Sequence, residues 1–168
     1  QGMVPDGYGY SKGVDLYFCD NALWKNFEYR LSYSYNLSKR KYREYTELTV
    51  PQYATRHNVS LVLKYSVPRL RTIFSVTDRL ASGRPYHNPE LPGLMNDEVK
   101  PCHSLDLGIT VLASKKVFVH APATNLTGRK NEYGRINGQA VRASSDRFFY
   151  LGVYITLGKK VAYDVSNF

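Results

Sequence analysis

Apolar and polar residues alternate with a period of two along most of the chain. In the clearest run, Phe27, Tyr29, Leu31, Tyr33 and Tyr35 share one parity, and the positions between them are charged, Ser or Asn. Because successive side chains of a strand point to opposite faces, this pattern predicts a strand with one apolar and one polar face. Similar runs begin near positions 14, 58, 70, 104, 117 and 149. The sequence therefore predicts seven strands and no helix.

The connections between the predicted strands alternate in length. The short turns are residues 19–25, 67–69 and 114–116. The long loops, of about twenty residues each, are residues 37–56, 80–102 and 126–147. Since each antiparallel strand reverses the chain direction, short turns and long loops fall on opposite rims of the sheet. We expect an all-β, antiparallel, up-and-down meander, and this asymmetry of the rims is typical of outer-membrane barrels.

Alternation alone fits both a soluble sheet with a covered apolar face and a transmembrane barrel whose apolar face meets lipid. Three observations favour the transmembrane barrel. The strands reach the ~9–11 residues of a tilted transmembrane strand, and tyrosines such as Tyr29, Tyr65 and Tyr150 gather near strand ends, as in an interfacial girdle. The opposite face carries polar and charged residues, including Arg30 and Lys64, as a wet lumen does.

Composition and net charge exclude some classes of protein and leave one alternative function open. The 168 residues are 43% hydrophobic, which excludes a generally disordered chain, and no apolar run approaches the ~18 residues of a membrane-spanning helix. The net charge is +9, and its densest cluster, Lys39, Arg40 and Lys41 with Arg43, falls in loop 37–56. A soluble basic β-sheet domain that binds nucleic acid or another polyanion is therefore the alternative reading.

The sequence offers little for catalysis or metal binding. None of its four histidines has ligand spacing, and its two cysteines form no CxxC motif. Ser104, His103 and Asp106 have the residue types of a hydrolase triad, but neighbours in a strand point to opposite faces, which separates Ser104 from His103. We expect no enzyme activity, no cofactor and no bound metal.

Seven short segments occur in a familiar order. They are GVDLYF (13–18), YRLSYSYN (29–36), RHNVSL (56–61), ASGRPY (81–86), SLDLG (104–108), TNLTGRKN (124–131) and RFFYLG (147–152). In this order and spacing the chain resembles, over almost its whole length, the C-terminal part of a TonB-dependent outer-membrane receptor.

The resemblance implies a 22-stranded barrel of the bacterial outer membrane, filled by an N-terminal plug. Such receptors import a scarce ligand (an iron chelate, cobalamin, sugar or peptide) with energy passed through TonB. Residues 1–168 would form the C-terminal segment of the barrel domain. The plug, the TonB-binding segment and the earlier strands have no counterpart here, so we expect this chain alone to be unable to transport. The three long loops would lie outside the cell and capture ligand.

The same reading assigns roles to particular residues. The lumen-facing charges expected to touch the plug are Arg30, Lys64, Arg71 and Asp106. The loop residues expected to contact ligand are Lys39, Arg40, Lys41, Arg84 and Tyr86. The expected partners are the plug and remaining strands, TonB through that plug, lipid, lipopolysaccharide and the ligand, but no nucleic acid. Three features depart from the pattern: Asp78 on the apolar face, Pro122 within a strand, and the pair Cys19 and Cys102.

Overall fold

The computed structural model describes residues 7–41, 45, 47–142 and 146–158, and these ranges are all-β. The strands are β1 (Tyr8–Asp20), β2 (Phe27–Lys41), β3 (His57–Val67), β4 (Thr72–Ala81), β5 (Pro85–Tyr86), β6 (Asp97–Glu98), β7 (Cys102–Ser114), β8 (Val117–Thr124), β9 (Glu132–Ile136), β10 (Gln139–Arg142), β11 (Phe148–Phe149) and β12 (Gly152–Ile155). A 3₁₀ turn, Pro68–Leu70, joins β3 to β4. The described ranges hold no helix with the length and apolarity needed to cross a membrane.

One antiparallel sheet contains eight of these strands. Its order is β1-β2-β3-β4-β7-β8, and β11 and β12 both pair with the far side of β8. Two small hairpins, β5–β6 and β9–β10, lie in the second and third long connections. The predicted all-β antiparallel meander is confirmed. Since β11 and β12 together occupy the last position, the described residues also provide the seven predicted strand positions.

The β1–β2 ribbon is longer than predicted. Pairing runs from Asp20↔Tyr29 to Tyr8↔Lys41, so Lys39, Arg40 and Lys41 are strand residues, and the prediction that they lie in loop 37–56 is wrong. The reason is tertiary, because β1 continues far enough to pair with them. The Lys41 ammonium lies 6.0 Å from the centre of the Tyr8 ring, a cation–π contact that an isolated loop would lack.

Arg71 is not a mid-strand residue. Pro68 fixes its own φ and begins the 3₁₀ turn, and the Arg71 N–H donates to the Pro68 carbonyl at 3.0 Å. Arg71 itself is left-handed, with φ 48°, and β4 begins only at Thr72. The prediction that Arg71 is a mid-strand residue is therefore wrong, and the residue lies on the short-turn rim.

The last strand position is interrupted opposite Pro122, whereas β8, the strand that contains this proline, is continuous. Phe149 pairs with Ala123 and Gly152 with His120, so the register is continuous across the gap between β11 and β12. The gap lies opposite Pro122, which has no N–H to donate to the ladder. Tyr150 still donates its N–H to the Pro122 carbonyl at 3.3 Å. The register is therefore the same on both sides of the gap, but Tyr150 and Leu151 have no regular strand pairing with β8.

The register collects the apolar side chains on one face, and nothing within the described residues covers that face. Leu16 is 46% exposed, Phe74 40% and Val153 57%. No large side chain of the described chain is fully buried, and its buried apolar residues are Ile73, Tyr86 and Val99. The fold is one layer of sheet with loop hairpins at one rim, and the described residues provide no second layer.

Candidate functional site

Glu28 organises the charges near the short-turn end of the polar face. Its carboxylate lies 2.6 Å from Nε of Arg30 and 3.9 Å from Nζ of Lys64. Lys64 is the register partner of Glu28, and Arg30 is two residues along the same strand, so all three share one face. Arg30 and Lys64 therefore lie on the polar face as the alternation predicts. Both are compensated by a carboxylate that sequence reasoning did not single out.

Asp106 is the centre of a second polar cluster, nearer the long loops. The residue is buried, at 8% exposure, and its carboxylate pairs with the guanidinium of Arg79. Oδ1 accepts hydrogen bonds from the Ser104 hydroxyl at 2.7 Å and from the Asn125 N–H at 2.8 Å. A buried carboxylate needs this many donors to offset its lost hydration. Asp106 lies where predicted, and it ties β4, β7 and the end of β8 together.

A cavity of about 610 Å³ opens beside this cluster on the polar face. Its wall is formed by β2, β3, β4 and β7 and by the third long loop. The charged residues that line it are Arg79, Arg84, Asp106, Arg129 and Asp146. Uncharged polar residues form much of the remaining wall, among them Ser32, Ser34, Asn58, Ser60, Thr124 and Asn125. This concave polar site, which gathers charged side chains from the sheet and from two long loops, is the candidate site.

The two loop hairpins interlock beside the cavity through aromatic rings. The Arg84 guanidinium lies 5.4 Å from the centre of the Tyr133 ring, and Arg135 of the same hairpin as Tyr133 lies 5.5 Å from the Tyr86 ring. Each contact has cation–π geometry. Because each of the two loops provides an arginine that contacts an aromatic ring of the other, these contacts hold β5 and β9 against each other. Arg84 lines the cavity, whereas Tyr86 is buried and stabilises the loops.

The predicted loop residues therefore divide into two groups. Arg84 and Tyr86 lie at or next to the cavity, in the loop between β4 and β7. Arg40 and Lys41 line a separate shallow depression along the β1–β2 ribbon, together with Tyr8 and Tyr10. Lys39 lies on that ribbon too. The structure does not bring these two groups into one site.

Tyr86 and Asp97 form a pair that responds to pH. The Tyr86 hydroxyl donates to the Asp97 carboxylate, which lowers the pKa of Asp97, and the same bond raises the pKa of Tyr86. Asn88 also donates to this carboxylate, at 3.0 Å. The stabilisation from Asp97 is present above the ordinary carboxyl pKa and is lost as pH falls through the lowered one. That from Tyr86 is present below the ordinary tyrosine pKa and is lost as pH rises through the raised one.

Removal of the Tyr86 hydroxyl tests whether this group sets the pKa of Asp97. In Tyr86→Phe the Asp97 carboxylate loses its principal donor, so its pKa is expected to rise toward the ordinary value of ~3.9. The measurement is an NMR titration of the Asp97 carboxyl carbon in the folded chain. Tyr53→Phe is the matched control, because Tyr53 is 78% exposed. An unchanged Asp97 titration in Tyr86→Phe contradicts the pairing.

The residues of the hydrolase triad are on opposite faces, as expected from their parity. His103 Nε2 lies 2.6 Å from Oδ1 of Asp78 on the apolar face, while Ser104 is bonded to Asp106 on the polar face. Asp78 shares the apolar face with its register partners Leu61 and Leu105, as predicted. No group of three or more His, Cys, Asp or Glu side chains within residues 7–41, 45, 47–142 and 146–158 could hold a metal ion.

The two cysteines are free thiols on different rims of the sheet. Cys19 is the second-to-last residue of β1, beside the short connection to β2. Cys102 is the first residue of β7, after a long loop. Cys102 donates its thiol to the Glu132 carbonyl at 3.3 Å, which links β7 to the third long loop.

Sequence reasoning missed several residues of the site. Arg79 has the parity of the polar face, so the alternation that placed Asp106 could have identified it. Asn131 gave no such signal. Its side chain accepts from the His103 N–H at 2.9 Å and donates to the His103 carbonyl at 2.8 Å, in the manner of a paired strand residue. Such a contact between a loop and a strand depends on the folded path of the loop.

No protein-family model and no curated protein sequence matches this chain.

Proposed function

We propose that this chain is the C-terminal barrel portion of a TonB-dependent outer-membrane receptor. One observation carries the proposal: the sheet is a single layer, and its exposed apolar face has an aliphatic band between two aromatic bands. A soluble sheet needs a covering layer for such a face, whereas a membrane barrel exposes it to lipid and positions aromatic rings at both interfaces.

The aromatic residues on this face occur at two levels. Near the short turns, Tyr65 pairs in register with Phe27 and Phe74, and Trp24 stacks edge-on against Phe27 with ring centres 5.5 Å apart. Near the long loops, Tyr33, Tyr35 and His57 form the second level, where the Tyr33 hydroxyl and Nδ1 of His57 are 2.9 Å apart. Between the levels lie mainly aliphatic residues, Leu31, Leu61, Leu63, Val76, Leu105 and Leu107, together with Tyr29 and Asp78.

The separation of these bands fits a bilayer. Phe27 and Tyr35 are eight positions apart in β2, which is about 27 Å along the strand. A strand tilt of ~40° reduces this to about 21 Å of height, and the rings at each end extend it, against an outward apolar band of ~25 Å in known barrels.

The acidic residue within the aliphatic band has a partner. An unpaired carboxylate facing hydrocarbon is costly, and Asp78 avoids that state through its 2.6 Å contact with His103. A polar pair of this kind is tolerated more readily than a lone charge, so Asp78 does not argue against lipid on this face.

In the proposed receptor the polar face lines the lumen. Arg30, Lys64 and Asp106 would face the plug across ordered water, and the long loops would capture an iron chelate, cobalamin, sugar or peptide outside the cell. Import would be driven through TonB by way of the plug, so the chain alone would bind without transporting. Lys39, Arg40 and Lys41, on a ribbon that projects beyond β3, would meet lipopolysaccharide or an acidic ligand.

The alternative, a soluble polyanion-binding sheet, requires something to cover the apolar face. The described residues provide no such layer. The basic ribbon would suit a polyanion equally well in either case, so it does not favour this alternative.

The proposal is tested by adding the purified, denatured 168-residue chain to buffer and to phosphatidylcholine vesicles. We expect the circular-dichroism signal of β-sheet and protection from protease only with vesicles, because only lipid covers the apolar face. A chain that folds as a soluble monomer without lipid or detergent contradicts the proposal and makes polyanion binding the leading function.

A further inference from the structure

The cavity on the polar face has the chemistry of a binding site for a particular class of ligand. We propose that it binds an acidic, hydroxyl-rich small molecule of the uronate-sugar type, and that Arg84 and Arg129 recognise the carboxylate. The inference rests on the proposed function, because that function makes the polar face the lumen and the long loops the outer mouth.

The charge of the cavity favours an anion. Arg79, Arg84 and Arg129 line it against Asp106 and Asp146, an excess of one positive charge. The Asp106 carboxylate is already satisfied by its partners within the sheet. Its negative charge therefore opposes an incoming anion less than an unpartnered carboxylate would.

The guanidinium groups retain donors that can face a ligand. The hydrogen bonds of the described residues engage one Nη of Arg79, with Asp106, and one Nη of Arg129, with the Pro101 carbonyl at 2.7 Å. Arg84 is held against the Tyr133 ring, which fixes its orientation. A guanidinium presents five N–H donors in a planar fork, and this geometry matches a carboxylate.

The uncharged part of the wall fits hydroxyl groups. Ser32, Ser34 and Ser60, with Asn58, extend across β2 and β3 beside the cations. Hydroxyl and amide groups both donate and accept hydrogen bonds, as sugar hydroxyls do. The volume, about 610 Å³, is typical of small-ligand pockets and excludes a polymer lying wholly inside it.

Calorimetric titration of the 168-residue chain tests the inference, with the chain folded in detergent micelles. The probes are digalacturonate, its uncharged counterpart digalactose, and inorganic phosphate. We expect digalacturonate to bind at least about tenfold more tightly than either of the other two, because only it presents both a carboxylate and a set of hydroxyls.

Two variants and one control locate the site. Arg129→Gln and Arg84→Gln are each expected to weaken digalacturonate binding about tenfold and to leave digalactose binding nearly unchanged. Arg69→Gln removes the same charge from an exposed position in the turn at the opposite rim, and it should have no effect. Circular dichroism checks the fold of each variant. Because Arg129 is exposed, its replacement is expected to leave the fold intact even if that of Arg84 does not.

The inference is overturned if digalacturonate does not bind, if digalactose or phosphate binds as tightly, or if Arg69→Gln weakens binding as much as Arg129→Gln. These failures are distinct from failure of the proposed function. A chain that folds without lipid and still selects digalacturonate through Arg129 refutes the receptor and keeps the site. A chain that inserts into vesicles without this selectivity refutes only the site.

Discussion

Val76→Arg is expected to lower the free energy of unfolding of the vesicle-inserted chain by about 2 kcal/mol. The cost of an Arg on a lipid-facing strand falls from roughly 2–4 kcal/mol at the bilayer midplane to roughly 0–1 kcal/mol at the interfaces, and Val76 lies one outward position inside the aromatic level of Phe74. Val76 lies in the aliphatic band, between its register partners Leu63 and Leu107. The arginine would have hydrocarbon as its surroundings and could reach water only by displacing lipid. Urea titration of the chain in phosphatidylcholine vesicles, followed by tryptophan fluorescence, measures the loss.

The next residue along β4 is the matched control. Thr77 is nearly the size of Val76 but points to the polar face, between Val62 and Asp106. Thr77→Arg should therefore cost less than about 1 kcal/mol. Val111→Arg, on the apolar face level with Thr72 and beyond Phe74 toward the short turns, should cost at most about 1 kcal/mol because the side chain can reach the interface. Equal losses at Val76 and Val111 would contradict lipid contact and indicate a packed protein layer.

Asp106→Ala is expected to destabilise the chain by about 2–3 kcal/mol. The carboxylate accepts hydrogen bonds from Ser104, from the Asn125 backbone and from Arg79, and charged acceptors contribute roughly 1.5–3 kcal/mol each when buried. The sum is reduced here because the Arg79 side chain is 58% exposed, so water screens its ion pair. The same urea titration measures the change.

Two further variants separate the roles of Asp106. Asp106→Asn keeps an acceptor oxygen and removes the charge, so about half of the loss should be recovered. Asp15→Ala removes an exposed carboxylate from the same face of β1 and should change stability by less than about 0.5 kcal/mol. If Asp106→Ala is as mild as Asp15→Ala, the cluster does not stabilise the long-loop rim as proposed.

The strands could be predicted because the alternation of apolar and polar residues, with a period of two, is present within each strand's own sequence. The run from Phe27 to Tyr35 is readable without knowledge of its neighbours. Strand ends were less predictable, since they depend on which partner is available. Lys39 to Lys41 are strand residues only because β1 reaches back to Tyr8, and Arg71 leaves the strand because of the turn that Pro68 begins. Neither partner choice nor turn geometry is visible in local alternation.

The site was predictable in its parts but not in its assembly. Parity alone put Arg30, Lys64 and Asp106 on the polar face, and their register confirms it. That Arg84 stacks on Tyr133, a residue 49 positions later, depends on two long loops folding against each other. Long-range contacts between loops have no periodic signature, so the cavity could only be found in the folded chain.

The most direct test of the central claim asks which face of the sheet touches lipid. In a Trp24→Phe background, which removes the only tryptophan of the chain, Leu63→Trp and Val62→Trp present an indole from adjacent positions of β3 on opposite faces. Each variant is folded into vesicles whose acyl chains carry bromine, a contact quencher of tryptophan fluorescence. We expect strong quenching for Leu63→Trp and little for Val62→Trp. Equal quenching, or stronger quenching at position 62, would contradict lipid contact by the apolar face.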